Sequence, residues 1–123
     1  MIVMIEGETM TFETIRAKDV ENYIGSNNVL IIDLRESNEY NRTHIPSAIN
    51  IPYMDFENRK NTLPFDQLLI LYCDRGNLSL LLARELSKDG YQVKNIYGGI
   101  RAYRGPIEQN IYDGIRAYRG PLE

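Results

Sequence analysis

The sequence predicts an α/β domain organised around a mostly parallel sheet. Two apolar runs, Val29-Leu30-Ile31-Ile32 and Leu68-Leu69-Ile70-Leu71-Tyr72, have the near-continuous hydrophobicity of strands covered on both faces. Residues 77–88 are instead amphipathic, with Leu78, Leu81, Leu82 and Leu86 expected on one helical face. Strand-type and helix-type stretches alternate along the chain, the pattern of helices crossing over a parallel sheet.

Each element has its own signal. Residues 11–15 read as a first strand and 18–24 as a short helix stopped by Gly25. The strand at 29–32 ends at Asp33. A third strand is expected at 48–51, bounded by Pro46 and Pro52, because proline is tolerated at strand ends and not in central ladders. The run 68–72 is the most hydrophobic and reads as a central strand, followed by the helix at 77–88 with Gly90 as its stop. Residues 92–96 form a fifth strand and 98–104 a short closing helix.

The tail contains an internal repeat. Residues 95–108 recur as 110–123 with 12 of 14 positions identical, the differences being Gly98 against Asp113 and Ile107 against Leu122. Two copies of so short a unit do not make a solenoid, which needs about three or more larger units. The expected organisation is a domain over residues 1–108 and a duplicated appendage over 109–123. In that appendage Ile111, Ile115 and Tyr118 have no place in the core, and self-association through the repeat is their alternative fate.

Composition excludes several classes of function. The chain of 123 residues is 43% hydrophobic and 25% charged, enough for one ordinary core, and its net charge of -3 opposes a surface made for nucleic-acid phosphates or anionic lipid. The apolar opening Met1-Ile2-Val3-Met4-Ile5 is too short for a secretory leader, and no run approaches the ~20 apolar residues of a membrane span. One cysteine permits no internal disulfide, which fits a reducing compartment, and a cytoplasmic location is expected.

That cysteine, Cys73, ends the central strand, and Asp74-Arg75-Gly76-Asn77-Leu78-Ser79 leads from it into the helix. In open α/β sheets ligands bind at the carboxyl ends of strands, and the first helical turn carries unpaired N–H groups that stabilise a thiolate. Gly76 lets the loop curl so that successive N–H groups face one centre. The strand, glycine loop and helix together point to an anion-bound nucleophile, although a lone cysteine is more often a small buried hydrophobe. Asp33 and Arg35, with Glu39, are expected to form a structural ion pair and caps behind the site. The single histidine, His44, invites a general-base role beside a cysteine, but a structural role is the expectation.

Three stretches of the chain resemble the rhodanese family. They are Ile31-Ile32-Asp33-Leu34-Arg35 with Glu39-Tyr40 and residues 44–52, Tyr72-Cys73-Asp74-Arg75-Gly76-Asn77-Leu78-Ser79, and Gly90-Tyr91-Gln92-Val93 with Tyr97-Gly98-Gly99-Ile100. The resemblance implies an open parallel sheet of about five strands with helices on both faces. It also implies a catalytic Cys73 that takes up sulfane sulfur, and a substrate loop of residues Asp74 to Ser79. No metal or cofactor is implied. A persulfide on Cys73 would be filled by a small donor such as thiosulfate or by a persulfide-carrying protein. Without a second cysteine, its outer sulfur must leave to an external thiol or to cyanide.

The chain departs from the family pattern at Leu78, where Arg is frequent, and at Tyr103, where Trp is frequent. Thr43 and Ser47 replace glycines common around His44-Ile45-Pro46. Asp74 places a carboxylate beside the thiol, unfavourable to a dianionic donor, and Arg75 partly offsets it. Two other classes compete with sulfur transfer. A cysteine phosphatase or arsenate reductase would need Arg six positions after the cysteine, where Ser79 stands. A non-catalytic binding or regulatory module would keep the fold and lose the chemistry.

Overall fold

The computed structural model of the chain describes residues 2–4, 11–110 and 116–121. Its main sheet is assembled from β1 (Ile2–Met4), β2 (Thr11–Ile15), β3 (Val29–Asp33), β4 (Ile49–Asn50), β5 (Leu68–Tyr72) and β6 (Gln92–Ile96). The order across the sheet is β1-β2-β6-β5-β3-β4. Strands β2, β6, β5, β3 and β4 are mutually parallel, and β1 adds an antiparallel edge to β2 that the sequence reading did not anticipate.

The apolar run of β5 is central, as its composition requires. Leu69, Ile70, Leu71 and Tyr72 are all fully buried, flanked by β6 on one side and β3 on the other. Alternation along the strands sorts the core into two layers. Leu69, Leu71 and Cys73 pack with Ile32, Leu34, Ile51 and Phe56 and with Leu82, Ala83 and Leu86 of α3 (Asn77–Lys88). Ile31, Ile70 and Tyr72 point to the other face, against Val20, Tyr40, Ile45, Ile100 and Tyr103. Helices therefore cover both faces: α3 and α2 (Phe56–Arg59) on one, and α1 (Ser37–Arg42) with two 3₁₀ turns on the other.

Several elements differ from the sequence expectation. The expected helix at 18–24 is a 3₁₀ helix over Ala17–Asn22, a tight form suited to so short a piece, anchored by buried Ala17 and Val20. The expected closing helix is a 3₁₀ turn over Gly99–Ala102. The third strand shrinks to the two residues of β4, since Ala48 N–H turns back to Ile45 and Pro52 follows closely. In α3 the buried stripe is Ser79, Leu82, Ala83, Leu86 and Ser87, whereas Leu78 and Leu81 are exposed by 42% and 53%. Spacings of three and four from Ser79 define one helical face, and Leu78 and Leu81 lie to the side of it.

The tail forms a two-stranded antiparallel sheet of β7 (Pro106–Asn110) and β8 (Arg116–Pro121). The first copy of the repeat thus supplies the closing turn and the first three residues of β7, and part of the second copy is a strand paired with it. Ile111 and Ile115 lie outside the described residues, as does the Tyr118 side chain. β7 is tied to the domain by Glu108, whose backbone exchanges two hydrogen bonds with His44, at 3.0 and 2.9 Å, while Ile107 is buried. The strand runs across residue 108, the expected domain boundary. We propose that residues 1–108 nevertheless form the self-standing unit and that 109–123 are an appendage dispensable for it. Truncation after Glu108 keeps both Glu108–His44 backbone bonds and should lower the melting temperature by no more than about 4 °C, roughly 1 kcal/mol. A loss of cooperative unfolding in that variant would show that the appendage completes the core.

Candidate active site

Cys73 follows the last residue of β5, so strand alternation turns Tyr72 to one face and the thiol to the face covered by α3. The sulfur is buried at the entrance of that helix. Gly76 N–H donates to Cys73 Sγ at 3.1 Å, and the Ser79 hydroxyl lies 3.5 Å from the same sulfur. Gly76 caps the helix in the left-handed region, with φ of +100°, and a Cβ there would also come within 3.1 Å of the Gly98 amide nitrogen. Leu80 N–H makes the first bond of the helix, to Gly76 C=O, so the amides of Asn77, Leu78 and Ser79 open it without helical acceptors. The positive end of the twelve-residue α3 therefore lies at the sulfur.

Ser79 is fully buried and has one hydroxyl proton to share. Its oxygen lies 3.3 Å from Gly76 C=O and 3.5 Å from the sulfur. With a thiolate or persulfide present, that proton favours the anion, because hydrogen bonds to charged acceptors are stronger than those to neutral ones. Asn77 and Leu78, expected in the loop around the sulfur, are exposed on its outer side.

The other half of the site comes from the closing turn. Ile100 N–H donates to Cys73 C=O at 3.0 Å, and Arg101 N–H donates to Asp74 C=O at 3.2 Å. The approach is close enough that a Cβ on Gly99 would sit 2.5 Å from both of those carbonyl oxygens, at a φ of +62°. Asp74 is bound further by Arg101, whose Nε donates to Oδ2 at 2.9 Å, with Arg75 Nε at 3.8 Å. Sequence reasoning placed Gly98-Gly99-Ile100 in a signature and missed their contact with the cysteine loop. The glycine pair was the available signal.

Asp33 and Arg35 form a buried ion pair on the opposite face of the sheet from the thiol. The Asp33 carboxylate accepts from Arg35 N–H at 2.8 Å, from Nε at 3.1 and 3.2 Å, and from Nη2 at 2.8 Å. Burial disfavours the Arg35 cation, but its bond to Asp33 and the charge of that carboxylate raise its pKa overall. Arg35 also donates to Thr43 C=O, and Tyr72 OH accepts Ile45 N–H at 3.1 Å, so the cluster ties residues 43–45 to the ends of β3 and β5. Tyr72 is held neutral: burial first, and then Asp33, push its pKa well above the usual value. His44 belongs to the same face. Its Nδ1 lies 2.8 Å from Tyr40 C=O and its ring stacks on Tyr40 at 3.9 Å, a structural placement away from the thiol.

A mostly parallel α/β domain with a buried cysteine held between a central strand and a helix N-terminus is thus defined by geometry. The chain belongs to the rhodanese-like domain family, whose model matches residues 16–105. A tRNA sulfurtransferase of Desulfurococcus amylolyticus is 42% identical over 80 residues, 65% of this chain and 16% of that protein. A thiosulfate:glutathione sulfurtransferase of Saccharomyces cerevisiae is 30% identical over 97 residues, covering 67% of this chain and 70% of the yeast protein. Among solved structures, a rhodanese-related protein from Thermoplasma volcanium superposes with a TM-score of 0.68 at 26% identity, covering 75% of this chain and 90% of the other.

Two substitutions and a control test the cradle. Ser79→Ala should slow the reaction of Cys73 with thiol reagents about tenfold, the equivalent of ~1.5 kcal/mol for a hydrogen bond to a charged group, with a melting temperature close to that of the parent. Gly99→Ala should destabilise by about 2–4 kcal/mol, since clash adds to left-handed strain. Gly90→Ala has φ of +97° and no atom within 4 Å of the new Cβ, and strain alone should cost it about 1–2 kcal/mol. Equal losses in the two glycine variants, measured by denaturant unfolding, would contradict the close contact.

Proposed function

We propose that this chain is a sulfurtransferase that carries sulfane sulfur as a persulfide on Cys73. The observation that carries the reading is the setting of its only cysteine, with Gly76 N–H at 3.1 Å and the Ser79 hydroxyl at 3.5 Å from the sulfur at the head of α3. Relatives named as sulfurtransferases support the same reading.

In the first half-reaction the Cys73 thiolate attacks the outer sulfur of a donor such as thiosulfate. A sulfur–sulfur bond forms to Cys73 while the bond within the donor breaks, and sulfite leaves with that electron pair. The terminal sulfur of Cys73–S–S⁻ bears the negative charge next to the N–H and O–H donors of the loop. In the second half-reaction an acceptor thiolate, or cyanide, attacks this outer sulfur, and the electron pair returns to Cys73. A persulfide-carrying protein can replace the small donor with the same electron balance. With no second cysteine in the chain, the acceptor comes from outside. The reading places the protein in a reducing cytoplasm, where a single thiol stays available. Among the described residues, no helix is long and apolar enough to cross a membrane.

Intact mass measurement after incubation with thiosulfate, and separately with an organic persulfide, should show the gain of one sulfur atom, lost again on addition of cyanide. Cys73→Ser should abolish both the gain and the transfer while moving stability by less than about 1 kcal/mol, because volume hardly changes. Transfer by the Ser variant at a rate near that of the parent would refute the mechanism, and absence of any persulfide with every donor would leave a non-catalytic binding module.

A further inference from the structure

The cysteine loop itself contains one cation, Arg75, and a second is brought to it by the closing turn. Arg101 is held at three levels: its neighbour Ile100 binds Cys73 C=O, its own amide binds Asp74 C=O, and its Nε binds Asp74 Oδ2 at 2.9 Å. Only Nε of the guanidinium is engaged this way. The two Nη groups have no acceptor among the described residues, and the side chain is 60% exposed. Arg104 braces the turn, its Nη1 donating to Arg101 C=O at 2.8 Å and to Tyr103 C=O at 3.0 Å. Asp74, the chain neighbour of Cys73, is thus faced by two guanidinium groups, those of Arg75 and Arg101. A guanidinium that is fixed by one edge and open at the other is a preorganised fork for an oxyanion.

We propose that Arg101 is the residue that selects anionic sulfur donors at this site, its free Nη groups receiving the donor's oxyanion while Nε stays on Asp74. Asp74 has two opposed effects: it aims the fork, and its charge weakens the attraction of an anion. This inference rests on the sulfur-transfer reading above and extends it to the class of donor, small sulfane compounds bearing a sulfonate-type oxyanion. Asp74→Asn separates the two effects, because the amide oxygen can still accept from Nε while the charge is gone.

The test reads the electrostatics at the thiol without requiring sulfur transfer. Cys73 in the full chain is alkylated with iodoacetate, an anion, and with iodoacetamide, its neutral counterpart, and the ratio of the two rates is compared among variants. Both reagents meet the same thiolate, so its population cancels in the ratio. Arg101→Gln should lower the iodoacetate-to-iodoacetamide ratio about threefold to fivefold at low salt, the size expected of a partly exposed charge, and Arg101→Lys should restore much of it. Asp74→Asn should raise the ratio by about threefold, an effect that shrinks near 0.5 M salt and persists when combined with Arg101→Gln, because the carboxylate's own repulsion is removed in either background. An unchanged ratio in Arg101→Gln would overturn the proposal. So would an equal fall of both rates, the signature of a residue that only clamps the loop. Failure of the parent protein to take sulfur from any donor would strike the transferase reading, whereas the alkylation ratio would still decide whether Arg101 attracts anions to the thiol.

Discussion

The contact between Gly99 and the carbonyls of Cys73 and Asp74 is the constraint on which the site depends. The loop from Cys73 to Gly76, between β5 and α3, has little stiffness of its own, since a glycine by itself can occupy many conformations. Here the loop is closed from a distance: the amides of Ile100 and Arg101 occupy the carbonyls of Cys73 and Asp74, and the absence of a Cβ on residue 99 allows the backbones to meet. The Gly76 N–H is then aimed at sulfur before any ligand arrives. Donors fixed in advance stabilise a developing charge without reorganising when it appears, which is the general advantage of a prebuilt anion cradle.

Two ion pairs at the carboxyl edge of the sheet illustrate different uses of charge. Asp33 is fully buried and Arg35 nearly so, with the carboxylate making several hydrogen bonds and the guanidinium reaching on to Thr43. Such a pair contributes little net stability against an apolar alternative, but removing one partner strands the other at a cost of about 3–5 kcal/mol. It acts as a rivet between β3, β5 and the segment at 43–45. Asp74 and Arg101 are 42% and 60% exposed, where water and salt screen the pair and its net contribution is about 0–1 kcal/mol. Little is lost when an exposed bond of that kind rearranges, so the outer pair suits contact with ligands and the inner one suits architecture.

The parts of the molecule legible in the sequence were those whose signal is local. β5 announces itself by an apolar run, α3 by its period, and Cys73 by standing between them before a glycine. Asp33 and Arg35 were readable as a structural pair because a carboxylate at the end of a buried strand needs a partner. The short helix α1 was not legible: Ser37, Asn38 and Asn41 have weak helical preference, and one buried residue, Tyr40, holds it in place. The stripe of α3 was misaligned because several leucines fit more than one face, and burial of the small Ser79 and Ala83 decided the outcome. Arg101 was invisible as a site residue since it lies 27 positions from Asp74, and only the fold brings the two together.

The duplicated tail isolates this dependence on context. Arg-Ala-Tyr-Arg-Gly-Pro occurs at 101–106 and again at 116–121. In the first copy Arg101 and Ala102 close a 3₁₀ turn and Tyr103 is fully buried, whereas in the second copy the same six residues form β8. Identical local preference therefore gives two structures. The turn is imposed by the carbonyls of Cys73 and Asp74, and those acceptors are already taken by the first copy. Gly98 adds to the choice: it sits at a φ of +78°, with a would-be Cβ 2.8 Å from that of Ala102, and the second copy has Asp113 at this position. A slip of 15 residues, placing the second copy in the slot of the first, would carry Glu108 to the position of Val93, which is 6% exposed in the core. Burying that carboxylate without a partner costs several kcal/mol, more than any preference within the repeat can return. The register of the repeat is thus set upstream of it, by the strand that leads into the first copy.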